Sequence, residues 1–225
     1  MISVVTIARE YGSGGAKLGR LVAVKLGWEL LDRQLIDRVA RIAGVDAKTA
    51  VRLDEHAHRW WQWALAGYAA PFAYGTTEQR GVIYEDFLHD VTMRLIQTAA
   101  DSGKCVIVGR GAQCLLQGRP DVLNVLAYAR LDERIRRLRT RHPDCGDFEA
   151  LVKRVDGQRA SYVRQYYRKD WLDRSLYDLC INTGLGLEAA AELIATAISL
   201  AKKVSDSGTQ QELGPAEARE PIPRE

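Results

Sequence analysis

The sequence is short of several things, and each shortage closes off a class of function. Its four cysteines, Cys105, Cys114, Cys145 and Cys180, include no C-x-x-C pair and join no Cys/His zinc pattern. Reduced thiols in a cytoplasmic protein are the expectation. His56 and His58 stand in an H-x-H, but that spacing on a helix turns the two rings to different faces, and no third ligand is in view. No metal site is expected from the side chains alone. No apolar run approaches the roughly 20 residues that a bilayer span needs. The N-terminus carries neither a basic n-region nor a small-residue cleavage site, so no signal peptide is expected. Excess charge is also scarce: 32 basic against 29 acidic residues leave +3, too mild to argue for nucleic acid. The expected partners are small molecules, with neither membrane nor nucleic acid among them.

What is present is an ordinary globular composition, 47% apolar and 27% charged over 225 residues. One domain over residues 1–204 is expected, followed by a polar tail over 205–225 that reads as disordered. Runs rich in β-branched residues at Ile2–Ala8, Lys104–Val108 and Asp121–Ala129 predict buried strands. Shorter strands are predicted at "WELLD", ending at Asp32, and at Leu176–Asn182. Helical spacing follows at 16–26 and 33–44, along Val82–Ala100, and in the closing "GLEAAAELIATAISLAKK". Strands alternating with helices predict a three-layer α/β fold with a mainly parallel five-stranded sheet. Residues of about 46–102 are expected to form a helical insertion around Trp60, Trp61 and Trp63, followed by a loop from Tyr68 to Gly81. The tryptophans read better as buried or oligomer-contact area than as a pocket lining.

The most informative absence lies in "TIAREYGSGGAKLGR", Thr6–Arg20. A strand, a glycine turn and a helix place backbone N–H groups where they bind phosphate. A strict phosphate-binding loop reads G-x-x-x-x-G-K-[ST]. Aligning Gly14 with its second glycine puts Arg9 at the first, Gly15 at the lysine and Ala16 at the magnesium-binding hydroxyl. The backbone cradle, Gly12, Ser13, Gly14, Gly15 and Ala16, survives without these side chains. The missing cation must come from Arg9, at the strand end, or from Lys17, inside the helix.

A second concentration of charge lies at Arg130–Arg174. Eleven arginines and two lysines stand there against eight acids, a surplus of +5. Arg136, Arg137 and Arg141 read as a solvated helix face. Arg164 and Arg168, four apart, fall on one helical side, and Arg154 is a weaker candidate. Arg110, in "GRG", closes the strand that ends at Val108.

The stretch from Thr6 through "WELLDRQLIDRVA" resembles the start of the cytidylate kinase-like family, the divergent relatives of bacterial cytidylate kinase. The family's own loop, Ser-Arg-Glu-Tyr-Gly-Ser-Gly-Gly, also lacks the lysine. "CVIVGRGAQCLL", "VLAYARLDERIRRL", "VDGQRASYVRQYY" and "YDLCINTG" continue the match, in order, over about residues 2–200. The resemblance implies a P-loop kinase fold with a helical lid at about 140–172, and phosphate transfer from ATP, with Mg²⁺, to a nucleoside monophosphate. It implies that Arg159, in "DGQR", contacts phosphate and that Arg110 holds the acceptor phosphate; Arg164, further along the same helix, is a phosphate candidate by its spacing. Asp32 matches an aspartate that holds magnesium through water or orients the acceptor; a helix N-cap is its competing role. Gly111 departs from the kinases' Gly-Arg-Asp, where the aspartate helps handle the cytidine nucleotide. The alternative function is a nucleotide-binding regulatory or interaction module without turnover. The oligomeric state is open, a homodimer included.

Overall fold

The β-branched runs become the middle of one sheet. The computed structural model describes residues 1–32, 77–144 and 146–207, leaving aside the side chains of 77–88 and 202–207. Its strands are β1 (Val4–Arg9), β2 (Glu29–Leu31), β3 (Cys105–Val108), β4 (Val122–Tyr128) and β5 (Leu179–Asn182), ordered β2-β3-β1-β4-β5. Every neighbouring pair is parallel. The helices are α1 (Gly15–Leu26), α2 (Thr77–Ser102), α3 (Ala112–Leu115), α4 (Leu131–Arg141), α5 (Phe148–Tyr167) and α6 (Leu187–Ser207).

Side chains alternate across β1 and serve two cores. Val5 and Ile7 join Leu18 and Val22 of α1 and Ala190 and Ile194 of α6 on one face. Val4 joins Ile96 and Ala99 of α2, with Ile107 and Leu116, on the other. Both layers bury the sheet, which is why its strands read as continuous apolar runs. Each fully buried valine or isoleucine contributes about 1.5–3 kcal/mol to holding the layers together. Thr6 and Asn124 are buried polar exceptions that pair with each other: the Thr6 hydroxyl donates to Asn124 Oδ1 of β4 at 2.6 Å.

Three boundaries move by three residues or more. The last strand begins at Leu179 because Arg174–Leu176 form a 3₁₀ turn, started by Asp173 accepting from Ser175 N–H. Helix α2 begins at Thr77, within the stretch read as a loop, and α6 runs past Ser205, the expected start of the tail, to Ser207. The expected helix at 33–44, His56, His58, the three tryptophans and residues 208–225 lie outside the described residues. Among the described cysteines, Cys105, Cys114 and Cys180 are free thiols. No helix of the described residues is long and apolar enough to cross a membrane.

Candidate active site

The carboxyl ends of β1 and β3 lie side by side, where parallel α/β sheets bind their ligands. At the end of β1 the chain turns sharply. Ser13 folds back on Glu10: its N–H and its hydroxyl both donate to the Glu10 carbonyl, at 3.2 and 2.8 Å. Gly12 has φ 84° and presses on α4, where a Cβ would come within 2.9 Å of the Arg134 carbonyl oxygen. Gly14, also at φ 84°, is the N-cap of α1 and makes no side-chain cap. The first helical bond runs from Leu18 N–H to Gly14 O at 2.9 Å. The N–H groups of Gly15, Ala16 and Lys17 precede that bond, so the helix start presents donors and a positive dipole end to an anion.

Two glycines far apart in sequence make room for one arginine. A Cβ on Gly15 would lie 2.5 Å from Arg9 Cβ, and a Cβ on Gly109 would lie 1.6 Å from Arg9 Nη1. Arg9 therefore runs from above the loop, over the position a P-loop lysine would start from, to the end of β3. There Gly109, Arg110 and Gly111 have φ of 84°, 59° and 71°, three left-handed residues in a row. For Arg110 that conformation costs about 1–2 kcal/mol. Tyr167 of α5 holds the turn, its hydroxyl donating to the Arg110 carbonyl at 3.3 Å. The ring of Tyr167 also fills the space beside Gly111, where a Cβ would meet Cε2 at 2.3 Å. An aspartate at 111, as in the cytidine-specific pattern, has no room beside that ring.

Between the strand ends and α5 lies a cavity of about 200 Å³. Arg9, Arg110 and Arg159 line it with Gln113, Gln158 and Tyr162. Three arginines and no carboxylate stand among the described residues of its wall. Burial pushes the Tyr162 phenol up to about 12, and it remains a protonated donor at neutral pH.

Helix α5 is tied to the loop through Asp156. Its carboxylate accepts from Tyr11 N–H at 2.7 Å and from Arg159 Nη1 at 3.1 Å, and it pairs with Arg134 Nη2. Arg159 Nη1 also donates to the Arg9 carbonyl at 2.7 Å. Arg134, with 8% of its side chain exposed, completes its fork on Glu10 at 3.1 Å and donates Nε–H to the Tyr11 carbonyl at 2.7 Å.

The remaining candidates are placed as follows. Lys17 is exposed and faces Glu188 of α6 at 3.6 Å, away from the cavity wall. Asp32, at the end of β2, stands 3.6 Å from Arg20 Nη2. Arg154 and Arg164 are exposed on α5 and do not line the cavity. Arg168 does not share a helical side with Arg164, because the helix ends at Tyr167 and Arg168 caps it at φ 56°. Arg136 and Arg141 are exposed, as a solvated face requires. Arg137 is not: it donates to Ser13 O and Thr183 Oγ1 at 2.8 and 2.9 Å, and to Thr183 O at 2.8 Å. No motif in the sequence marks Arg134. Its one local signal is the four-residue spacing to Leu138, which puts both on the buried side of α4.

The sequence profile of the cytidylate kinase-like family matches residues 4–185. The chain belongs to that family. The match takes in the loop, the Gly109–Gly111 turn, α4 and α5, so the arginines described above all fall inside it. Curated proteins offer no match. Among solved structures, an uncharacterized protein from Eubacterium ventriosum superimposes with a TM-score of 0.62 at 21% identity, over 88% of this chain and 99% of its own. Shikimate kinase from Bacteroides thetaiotaomicron does so with a TM-score of 0.51 at 13% identity, over 88% and 99%. These likenesses speak for the fold: this cytidylate kinase-like chain has the three-layer α/β fold of P-loop kinases.

Proposed function

We propose that this protein transfers a phosphoryl group from ATP to a nucleoside monophosphate, CMP or dCMP by family resemblance, or to a similar small phosphate acceptor. The observation that carries this reading is the convergence of Arg9, Arg110 and Arg159 on one cavity with no acid among its described wall residues, Arg9 linking it to the uncapped start of α1. Bringing two polyanions together is the main difficulty of such a transfer, and positioned cations are what relieve it.

In this reading the donor phosphates lie on the N–H groups of Gly12 and of Gly14–Lys17. Arg9 supplies the charge that a lysine supplies in strict P-loops, since its guanidinium reaches the cavity whereas the Lys17 side chain is engaged by Glu188. Arg110 holds the acceptor phosphate, and Arg159 closes from α5. Arg164, exposed and off the wall, is left out of this set. An oxygen of the acceptor phosphate attacks the γ-phosphorus, the bond to the β–γ bridging oxygen breaks, and ADP leaves. A phosphate acceptor is already an anion, so no general base is required.

Mg²⁺, when bound with the nucleotide, neutralises phosphate charge. Among the described residues no group of three acids, histidines or cysteines is placed to cage it. That suits an ion held mostly by phosphate oxygens and water. We assign Asp32 as the carboxylate that meets it through water.

A coupled ADP-release assay over a panel of nucleoside monophosphates tests the proposal. Turnover is expected with at least one, the cytidylates first. ATP binding with no ADP formed on any acceptor would leave a nucleotide-binding module and sink the transferase reading.

A further inference from the structure

Helix α4 grips two carbonyls of the loop. Arg134 and Arg137 lie one turn apart on α4. Arg134 Nε–H donates to Tyr11 O at 2.7 Å. Arg137 Nη1 donates to Ser13 O at 2.8 Å, and that oxygen also accepts from the Thr183 hydroxyl at 2.6 Å. In a trans peptide the C=O and the following N–H point in opposite directions. Fixing Tyr11 O and Ser13 O against α4 thus turns the N–H groups of Gly12 and Gly14 away from it. The intervening Ser13 N–H is turned inward, to Glu10 O at 3.2 Å. The Gly12 and Gly14 N–H groups thus share the side of the turn away from α4, one on each side of the inward Ser13 N–H. Both glycines take φ of 84°, a left-handed backbone that glycine adopts without a Cβ penalty.

We infer that Arg134 and Arg137 are positioning residues for the phosphate cradle: by holding the Tyr11 and Ser13 carbonyls, they aim the Gly12 and Gly14 N–H groups at the donor phosphates. The inference rests on the proposed nucleotide site. Neither arginine lines the cavity. They act through the main chain, and the fork geometry of arginine is what lets Arg137 bridge Ser13 and the Thr183 turn at once.

Arg137 is the better handle, because removing Arg134 would strand Glu10 and Asp156 without their buried cation. MgATP affinity of the full chain is measured for Arg137→Ala, Arg137→Lys and Arg136→Ala, alongside thermal midpoints and the Gly12 and Gly14 amide signals in ¹⁵N spectra. Arg137→Ala is expected to bind about tenfold or more weakly. Arg137→Lys should keep the charge yet recover only part of the affinity. Arg136→Ala should bind like the parent, and the two glycine amides should move in the Arg137 variants alone. Parental affinity in folded Arg137→Ala overturns the inference. So does full recovery by Arg137→Lys, which would make the effect one of charge and not of carbonyl placement. If the parent binds no triphosphate while the glycine amides still move in Arg137→Ala, the proposed nucleotide site fails, and the carbonyl clamp stands as loop geometry.

Discussion

Gly109→Ala is the sharpest test of Arg9, because it disturbs that side chain without touching it chemically. A methyl at 109 would sit 1.6 Å from Arg9 Nη1 and 2.7 Å from Cζ. The atoms it meets are the far end of a flexible side chain, so the guanidinium moves aside and the strands stay. What remains as a folding cost is the left-handed backbone at φ 84°, about 1–2 kcal/mol for a residue with a Cβ. In a domain of this size that lowers the thermal midpoint by about 2–8 °C. The functional cost is larger. A preorganised donor to developing phosphate charge is worth about 2.7–4 kcal/mol, so displacing it should cut kcat/KM by about 10²–10³. Arg9→Ala should give the same loss with a smaller change in midpoint. The double variant should be no slower than Arg9→Ala alone, since both remove one contact. ADP release with the best acceptor gives the rates, and a melting curve gives the midpoints. If Arg9→Ala lies within threefold of the parent, or the two losses add, Arg9 is not the cation of the loop.

Two further outcomes follow from packing and from charge. Gly111→Ala should lower stability by about 2–5 kcal/mol, from a Cβ within 2.3 Å of the Tyr167 ring and a left-handed backbone at φ 71°, and Tyr167→Ala in the same chain should recover part of it in denaturant melts. The Arg119 guanidinium holds the Asp121 carboxyl below the usual carboxylate range, with a hydrogen bond from Ser3 adding to the effect. A folded pKa below the unfolded one contributes stability in full above the unfolded carboxyl value, about 3.9, and loses it as pH falls through the folded value. Asp121→Asn should therefore destabilise by about 1 kcal/mol at pH 7, and the gap to the parent should close on acidification below pH 4; a gap that stays constant down to pH 2 would refute the assignment.

The fold was legible because burial writes itself into local pattern. Val4, Val5 and Ile7 sit in a β-branched run because both faces of β1 are covered, and Leu18 and Val22 keep the spacing of one helical face. Arginine carries no such signature. Arg136 and Arg137 are adjacent in a basic run, yet one is exposed and the other bonds to carbonyls of residues 13 and 183. What separates them is the path of chain more than 40 residues away in either direction. Arg134 is hidden for the same reason: its partners, Glu10, Tyr11 and Asp156, are brought to it only by the finished fold.

The choice between Arg9 and Lys17 shows the same limit from the other side. Both are cations within reach of the turn in sequence, and nothing local ranks them. The ranking we propose rests on two missing side chains, at 15 and 109, whose space Arg9 occupies. A strict P-loop has glycine where this chain has Arg9 and lysine where it has Gly15. The two positions face each other, with 2.5 Å between Arg9 Cβ and the point where a side chain at 15 would begin. A strand-end arginine and a side chain at 15 cannot both be housed. The loss of the lysine and the gain of the arginine are therefore one structural change. Restoring lysine at 15 while Arg9 remains would crowd the loop and rebuild nothing.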